Sequence, residues 1–525
     1  MKKKFLATMC MVLSIPMVMS GCGGGTGDDV VPDGATVLNV SVFNGGYGIK
    51  WLNAIKDAYE KINPDVYIKV TPIYENGNAR TETQSGMSKT DLYFIQEFLY
   101  MSDSENVVLN KQTYPSYFAD ISDVWNNPAY GETEPISSKM VTQAANWFLN
   151  EKNEYRAIPW ASAPISLVYN ENVLNAAGVD VPVTSDELNA ACETIKSKTL
   201  KNEYGKDVYP ISISSTDDYS ANAFYSWFAQ YNGVEGWDNF WNCIDENGNE
   251  YSPTVVANKG TLRSLEAMQK MLAAGNGYLH KNYVTDSFTE SQFRLLEGEA
   301  AFGFNGDWLI CEMSENYTDE EVAGIKMCKF PVISSIVNTL EDTNMSDATL
   351  ASIVREIDAG ATSSTKCSAK DFARIKEARN ITSGLSNIHM AYIPIYAAHI
   401  DEAKDFLRFM YSDQGIELYA QNTRGCVLPV KYDYSKTDIK FSNFAMSVQQ
   451  IINECDVVYQ YNHKHRIFAK NSLDILNSAD YYAARIPAYF YATNAKDRKT
   501  PEEIYNGNLL YVATRWDSNY MRDID

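Results

Sequence analysis

Val37-Leu38-Asn39-Val40-Ser41-Val42-Phe43, then Trp51 to Ile62, then Val66-Tyr67-Ile68-Lys69-Val70 is the stretch that decides the fold class. The first and last segments are short, Val-rich and bounded by turn residues, as buried strands are. Between them Trp51, Leu52, Ile55, Ala58, Tyr59 and Ile62 recur at helical spacing, and Asn63-Pro64 stops the helix. Strand, helix and strand in this order form the unit of a parallel sheet. A further buried strand, Asp91-Leu92-Tyr93-Phe94-Ile95, ends at Gln96-Glu97. Ligands of open α/β sheets sit beyond the carboxyl ends of strands. Tyr47, in the loop Asn44-Gly45-Gly46-Tyr47-Gly48, and Glu97 therefore fall on the expected binding edge.

Further along, the loop Arg156 to Pro164 leads into a strand, Ile165 to Asn170, and a helix closed by Gly178. Val181-Pro182-Val183-Thr184-Ser185-Asp186-Glu187-Leu188 reads as a capped start with an acidic first turn, for a helix reaching Ile195. Tyr209 to Ile213 reads as a strand, and Tyr219 to Tyr231 as an aromatic helix ended by Asn232-Gly233. Thr261 to Ala273 is amphipathic. Ala300-Ala301-Phe302-Gly303-Phe304 reads as a strand whose end carries Asn305, Asp307 and Trp308. Ile325 to Val332 reads as a strand-like crossover, Met390 to Tyr396 as a strand, and Ile400–Tyr411 and Gln414–Gln421 as helices. Residues 338–386 read as an insert with two helical pieces, Ser346–Asp358 and Ala369–Ala378. From about 440 onward the chain reads as Tyr-rich helices.

A 525-residue chain exceeds one compact core, so two or more domains are expected. The net charge of −22 argues against a nucleic-acid partner, because phosphate binding needs clustered Lys and Arg. Seven of the nine cysteines, those beyond Cys10 and Cys22, are scattered without C-x-x-C or zinc spacing, which reads as small buried side chains rather than a disulfide framework. Tyr is abundant, with 35 residues; a flat apolar face with a polar edge suits sugar rings, and it also fills cores.

The N-terminus has Lys2-Lys3-Lys4, an apolar run from Phe5 to Met19, then Ser20-Gly21-Cys22 and a Gly-rich stretch. This is the layout of a secretory signal peptide. The Ser-Gly-Cys end resembles the bacterial lipoprotein box, with Met19 where Leu is usual. That resemblance implies a signal peptide over 1–21, lipidation of Cys22, a flexible tether over 22–35 and a lipid anchor on the extracytoplasmic face of the cell membrane. Two alternatives stay open: an ordinary cleaved signal, and a membrane-spanning helix, although the run falls short of the roughly 20 residues a span needs and contains Pro16.

Taken together, the segments resemble the sugar-binding solute-binding proteins of ABC importers, the group that includes maltodextrin-binding protein. The resemblance rests on the opening strand–helix–strand, the Asp91–Ile95 strand, Ile158-Pro159 with Ile165–Asn170, and Leu296-Glu297-Gly298-Glu299-Ala300-Ala301 running into Asn305-Gly306-Asp307-Trp308. It also includes Ala403-Lys404-Asp405-Phe406-Leu407 with Asp413-Gln414-Gly415. It implies an α/β, two-lobed periplasmic-binding-protein-like fold with hinge strands and a cleft between lobes. Lobe one is expected from 36–163 plus 330–430, with the 338–386 insert, and lobe two from 164–329 plus 431–525. The insert and the longer C-terminal region depart from the plain family.

The same resemblance implies capture of an oligosaccharide and delivery to ABC permease subunits by a monomer, with no cofactor and no catalysis. Trp308, in a turn like the family's Asn-Gly-x-Trp, is the first candidate for stacking on a sugar ring, and Trp160, in the crossing loop, the second; both are equally typical of buried packing. Tyr47 and Glu97 stand at strand ends, and Glu97 offers carboxylate oxygens to hydroxyls, unless it is a solvated surface group. Asp218, Tyr219 and Asn222 begin the aromatic helix, where Asp218 is also a plausible N-cap. Asn305 and Asp307 flank the Trp308 turn and serve either a ligand or the turn itself. Arg424, before Gly425, completes the set. The Tyr481-Tyr482-Ala483-Ala484-Arg485 run resembles an aromatic-pair-plus-Arg helix of some relatives.

Other chemistry lacks its pattern. Asp245 to Glu250 is oxygen-rich without calcium-loop spacing and reads as a hairpin turn. His463 and His465 have no metal-ligand spacing. There is no H-E-x-x-H, G-x-S-x-G or phosphate loop. Three rival functions remain at this level: a surface lipoprotein glycoside hydrolase, which needs two carboxylates across one site, a solute-binding protein for a non-sugar ligand, where an anion would call for Arg or Lys, and a non-transport adhesion or sensory lipoprotein on the same scaffold.

Overall fold

The structure, a computed structural model, describes residues 31–520 except 75, 98–105, 151, 216–218, 386–387 and 459–485. The leader, Cys22, Asp218 and the 481–485 run lie outside the described residues.

Strands are numbered in chain order: β1 Thr36–Phe43, β2 Val66–Ile73, β3 Leu92–Gln96, β4 Val107–Leu109, β5 Gln112–Tyr114, β6 Ile158–Pro159, β7 Pro164–Asn170, β8 Tyr209–Ser212, β9 Ala300–Gly306, β10 Ile325–Cys328, β11 Ile381–Gly384, β12 His389–Tyr392 and β13 Asp456–Val458. The first sheet has the order β2-β1-β3-β12-β6. Its β1 pairs in parallel with β2 and β3, as the strand–helix–strand reading requires, and β12 closes on β3 antiparallel. Helix Lys50–Ile62 buries Trp51, Leu52, Ile55 and Tyr59, the apolar positions of its helical period, and packs on helix Asp413–Asn422.

The second sheet has the order β13-β11-β7-β9-β8, with β10 also paired to β7. Strand β7 runs antiparallel to β9, with Ile165 opposite Gly306, so the start of β7 lies beside the end of β9. All seven residues of each of these two strands are buried, as expected of central strands covered on both faces.

One expected boundary is corrected by the pairing. The insert 338–386, assigned to lobe one from sequence, belongs with the second sheet. Its strand β11 pairs with β7 and β13. Helix Asp347–Asp358 joins helix Ser185–Lys198 through Thr184 Oγ1 to Asp347 at 2.9 Å and Arg355 to Glu187 at 2.8 Å. Helix Ala369–Arg379 is tied to the aromatic helix by Arg374, which donates to the Tyr231 carbonyl at 2.7 Å. The aromatic helix also departs from expectation. It spans Ala221–Trp241, and Gly233, at φ 77°, kinks it rather than ending it. The Asp245 turn has no flanking strands; Asp245 accepts from Asn247 and Asn249 backbone N–H groups instead.

Among the described residues the chain crosses between the sheets three times: from Pro159 to Pro164, from Gly384 to His389, and between helices Asp413–Asn422 and Asn443–Glu454. The crossings bind one another. Trp160 N–H donates to the His389 carbonyl at 2.9 Å, Ser162 N–H to Val427 at 3.0 Å, and Leu385 N–H to Ala163 at 2.9 Å. Ala163 and Arg424 hold left-handed backbone, with φ of 45° and 54°. Such geometry costs roughly 1–2 kcal/mol in a non-glycine residue, so the surrounding bonds must enforce it.

Candidate functional site

The carboxyl ends of β1, β3 and β9 and the starts of β7 and β12 meet at these crossings, and there the structure gathers an aromatic and polar cluster. The Tyr47 ring, in the loop after β1, packs edge-on against Trp160 at 5.5 Å, Trp308 at 6.2 Å and His389 at 5.3 Å. Trp160 stacks on Trp51 and donates from its indole N–H to the Ile95 carbonyl at 2.8 Å. Tyr219 lies 5.7 Å from Trp308, ring to ring. The Tyr47 hydroxyl donates to Asp307 Oδ1 at 2.6 Å, a bond between a loop of the first lobe and a turn of the second.

Close backbone approach makes this seam possible. A Cβ on Gly306 would lie 2.1 Å from the Trp308 ring, and one on Gly46 3.2 Å from Trp308. Glycine at 306 lets Trp308 fold back over the strand end, and glycine at 46 lets the first lobe's loop close on it. Trp308 is then only 4% exposed.

The electrostatics follow from burial. Asp307 is 3% exposed and its Oδ2 has no hydrogen-bond partner among the described residues. Desolvation pushes its carboxyl up to about 7, against the opposing hydrogen bond from Tyr47. Burial, with the Asp307 charge adding to it, pushes the Tyr47 phenol well above its ordinary range. Burial also lowers His389 to about 4; its Nδ1 meets the Leu385 carbonyl at 2.8 Å and its Nε2 has no partner among the described residues. The Tyr47 side chain thus touches a neutral imidazole with its ring and a carboxyl raised to about 7 with its hydroxyl.

Four sequence-selected residues converge directly: Tyr47, Trp160, Asp307 and Trp308, with Tyr219 at the margin. The others stand apart from the rings. Asn305 folds its side-chain oxygen onto the Gly306 N–H at 2.8 Å, the turn-forming alternative. Asn222 donates to the Tyr219 carbonyl at 3.2 Å. Glu97 follows β3 and pairs with Arg80. Burial raises its carboxyl and Arg80 opposes the rise. Arg424 reaches across to the second lobe, donating to the Ile310 carbonyl at 3.1 Å and the Tyr317 carbonyl at 3.2 Å and pairing with Asp319. It is a strut between lobes. Sequence reasoning missed His389, Tyr419, whose ring lies tilted against Trp51 at 5.1 Å, and the Cys311 and Cys426 thiols. A lone His before a short strand and two cysteines 115 positions apart (426 − 311) carry no local pattern.

A cavity of about 370 Å³ opens elsewhere, at the far end of the second sheet, lined by Asn170, Val173, Leu200, Asn202 and Glu297 among others. Asn170 ends β7 and Glu297 precedes β9, so this cavity is separated from the aromatic cluster by the length of both strands.

Comparison with known proteins bears on this geometry. No curated protein sequence matches the chain. Among solved structures, a chitin oligosaccharide binding protein superposes with a TM-score of 0.57 at 13% identity, covering 92% of this chain and 100% of its own. Maltose-bound MalE3 of T. maritima gives 0.56 at 14% identity, covering 91% and 100%. The GacH receptor of Streptomyces glaucescens, solved unliganded and with acarbose, gives 0.56 at 13% identity, covering 92% and 99%. At such identities these likenesses establish the two-lobed fold. The model of the bacterial extracellular solute-binding proteins matches residues 45–417, well over half of the sequence and the span that holds nearly all of the cluster, and the chain belongs to that family.

Proposed function

We propose that this chain is the substrate-binding lipoprotein of an ABC importer, which captures an oligosaccharide in the cleft between its lobes and hands it to the membrane permease without breaking bonds. The observation that carries the reading is the seam itself: Trp308, Tyr47, Trp160 and Tyr219 bring aromatic rings from both lobes together around hydrogen-bonding oxygens of Tyr47 and Asp307. Flat faces with polar rims match the C–H faces and hydroxyl edges of sugars. The ligands named for the solved structures above, chitin oligosaccharide, maltose and acarbose, are of the same chemical class.

In this reading Trp308 is covered by the chain's own rings, and capture begins when the lobes part, exchanging the Tyr47–Asp307 contact for contacts with the sugar. Lobe one then comprises 36–163 with β12 and the two helices after it. Lobe two comprises 164–384 and the region from Asn443 onward. Cys22 carries the lipid, 22–35 is the leash, and a monomer suffices.

Calorimetry against a panel of glycans tests the proposal. One or more oligosaccharides should bind, and Trp308→Ala should weaken that binding by roughly tenfold, the size of a lost ring-stacking contact. No binding to any glycan, or cleavage of one, refutes it. Mass spectrometry of the mature N-terminus tests the lipid on Cys22.

A further inference from the structure

Two thiols meet behind the aromatic seam. Cys311 lies in the short helix Leu309–Glu312 that follows the Trp308 turn, and Cys426 lies on the third crossing, just after Arg424-Gly425. Cys426 Sγ approaches the Asp307 carbonyl, one helical turn before Cys311, and Arg424, two residues before Cys426, bonds the Ile310 carbonyl at 3.1 Å, so the two thiols adjoin. Each also touches backbone of the seam: Cys311 Sγ lies 3.6 Å from the Tyr47 carbonyl and Cys426 Sγ 3.3 Å from the Asp307 carbonyl. The pair is thus wedged between the loop of the first lobe and the turn of the second, which the Tyr47–Asp307 bond already joins. Neither thiol has a part in the proposed sugar contacts.

We propose that Cys311 and Cys426 form a reversible disulfide that ties the third crossing to the second lobe and holds the seam shut. The oxidant is a small-molecule disulfide. Cys311 is partly exposed, whereas Cys426 is 2% exposed, so the incoming disulfide meets Cys311 first. The Cys311 thiolate attacks one sulfur, forming a mixed disulfide and expelling one thiolate, which takes up the proton Cys311 lost. Cys426 then gives up its proton and attacks the Cys311 sulfur, expelling the second small thiol. The two protein thiols lose two electrons and two protons, and the small disulfide gains both.

The surroundings fit this order of events. The hydrogen bond from Cys426 and the nearby Arg424 guanidinium hold the Cys311 thiol below its ordinary range, while burial pushes Cys426 up. The more acidic thiol is the better first attacker at neutral pH. The other cysteines of the described residues offer no such partner arrangement: Cys192 and Cys243 are fully buried, and burial raises both.

The test uses the full chain, reduced and then titrated with oxidised glutathione. Non-reducing peptide mapping should find the peptides of Cys311 and Cys426 joined, with two hydrogens lost, and a reductant should part them. Cys426→Ser should stop at a glutathione adduct on Cys311, and Cys311→Ser should leave Cys426 unreacted. Acrylamide quenching of tryptophan should fall in the oxidised wild-type chain relative to the reduced chain. Glutathione adducts without the cross-link, or no reaction in excess oxidant, would overturn the pairing. A cross-link that leaves quenching unchanged would overturn its role at the seam.

Discussion

Replacing Asp307 by Asn should change how the protein's stability responds to pH, and the size of the change can be worked out. The Asp307 carboxyl rises from an ordinary 3.8 to about 7 because it is buried. The folded chain therefore holds this proton more tightly than the unfolded chain. Its contribution to stability is full below 3.8 and is lost as pH rises through about 7. A shift of about three units corresponds to about 4 kcal/mol. Asn keeps an acceptor for the Tyr47 hydroxyl and does not titrate. The stability of Asp307→Asn minus that of the wild type should rise by about 4 kcal/mol between about pH 4 and about pH 8. Taking the difference between proteins removes every other titrating group. Urea unfolding at a series of pH values, followed by tryptophan fluorescence, measures it. Parallel curves for the two proteins would show that Asp307 is ionised at an ordinary pH, and the account of the seam as a desolvated site would fail.

The neighbouring imidazole works in the opposite direction. His389 falls from 6.5 to about 4, so its contribution is present above 6.5 and lost as pH falls through about 4, about 3 kcal/mol in all. In the same unfolding series His389→Gln should leave Asp307 uncompensated, so stability should drop more steeply with rising pH than in the wild type. Gly306→Ala should cost about 1–3 kcal/mol or more by forcing the Trp308 ring aside, and more than Gly46→Ala, whose methyl meets Trp308 at 3.2 Å rather than 2.1 Å; thermal unfolding ranks the two. Arg424→Met removes hydrogen bonds to Ile310 and Tyr317 from a half-buried guanidinium and should cost about 2 kcal/mol in the same assay.

The elements whose signal is local could be read from the sequence. Thr184 caps Ser185–Lys198 within the stretch read as a capped start, and the insert's first helix lies over Asp347–Asp358 as its helical reading expected, with Ser346 as its cap. Trp308, Tyr47 and Trp160 were legible as residues of the strand ends, where their rings meet, because such ends are where sites of open α/β sheets form. What stayed hidden depends on distant pairing. Strands β11 and β13 are short, and only their partners in β7 and each other make them strands, so the 338–386 segment was placed with the wrong lobe. Gly233 reads as a helix stop, yet packing against Glu377, whose Oε1 accepts from the Val234 N–H at 3.2 Å, carries the helix past the kink. Arg424 was read as reaching for a ligand; that it spans the lobes instead depends on carbonyls more than a hundred residues away.

The three crossings have a mechanical consequence. A single linker between two bodies lets them bend, twist and slide. Here three linkers lie side by side and are stitched to one another by the Trp160–His389, Ser162–Val427 and Leu385–Ala163 bonds. Twisting one body against the other would stretch the outer linkers in opposite senses, and sliding would shear the stitches. Bending about the line that runs through the three is the only movement that spares them all. The ribbon therefore acts as an axle, and every opening and closing should retrace one arc, returning Tyr47 to the same place over Asp307 each time.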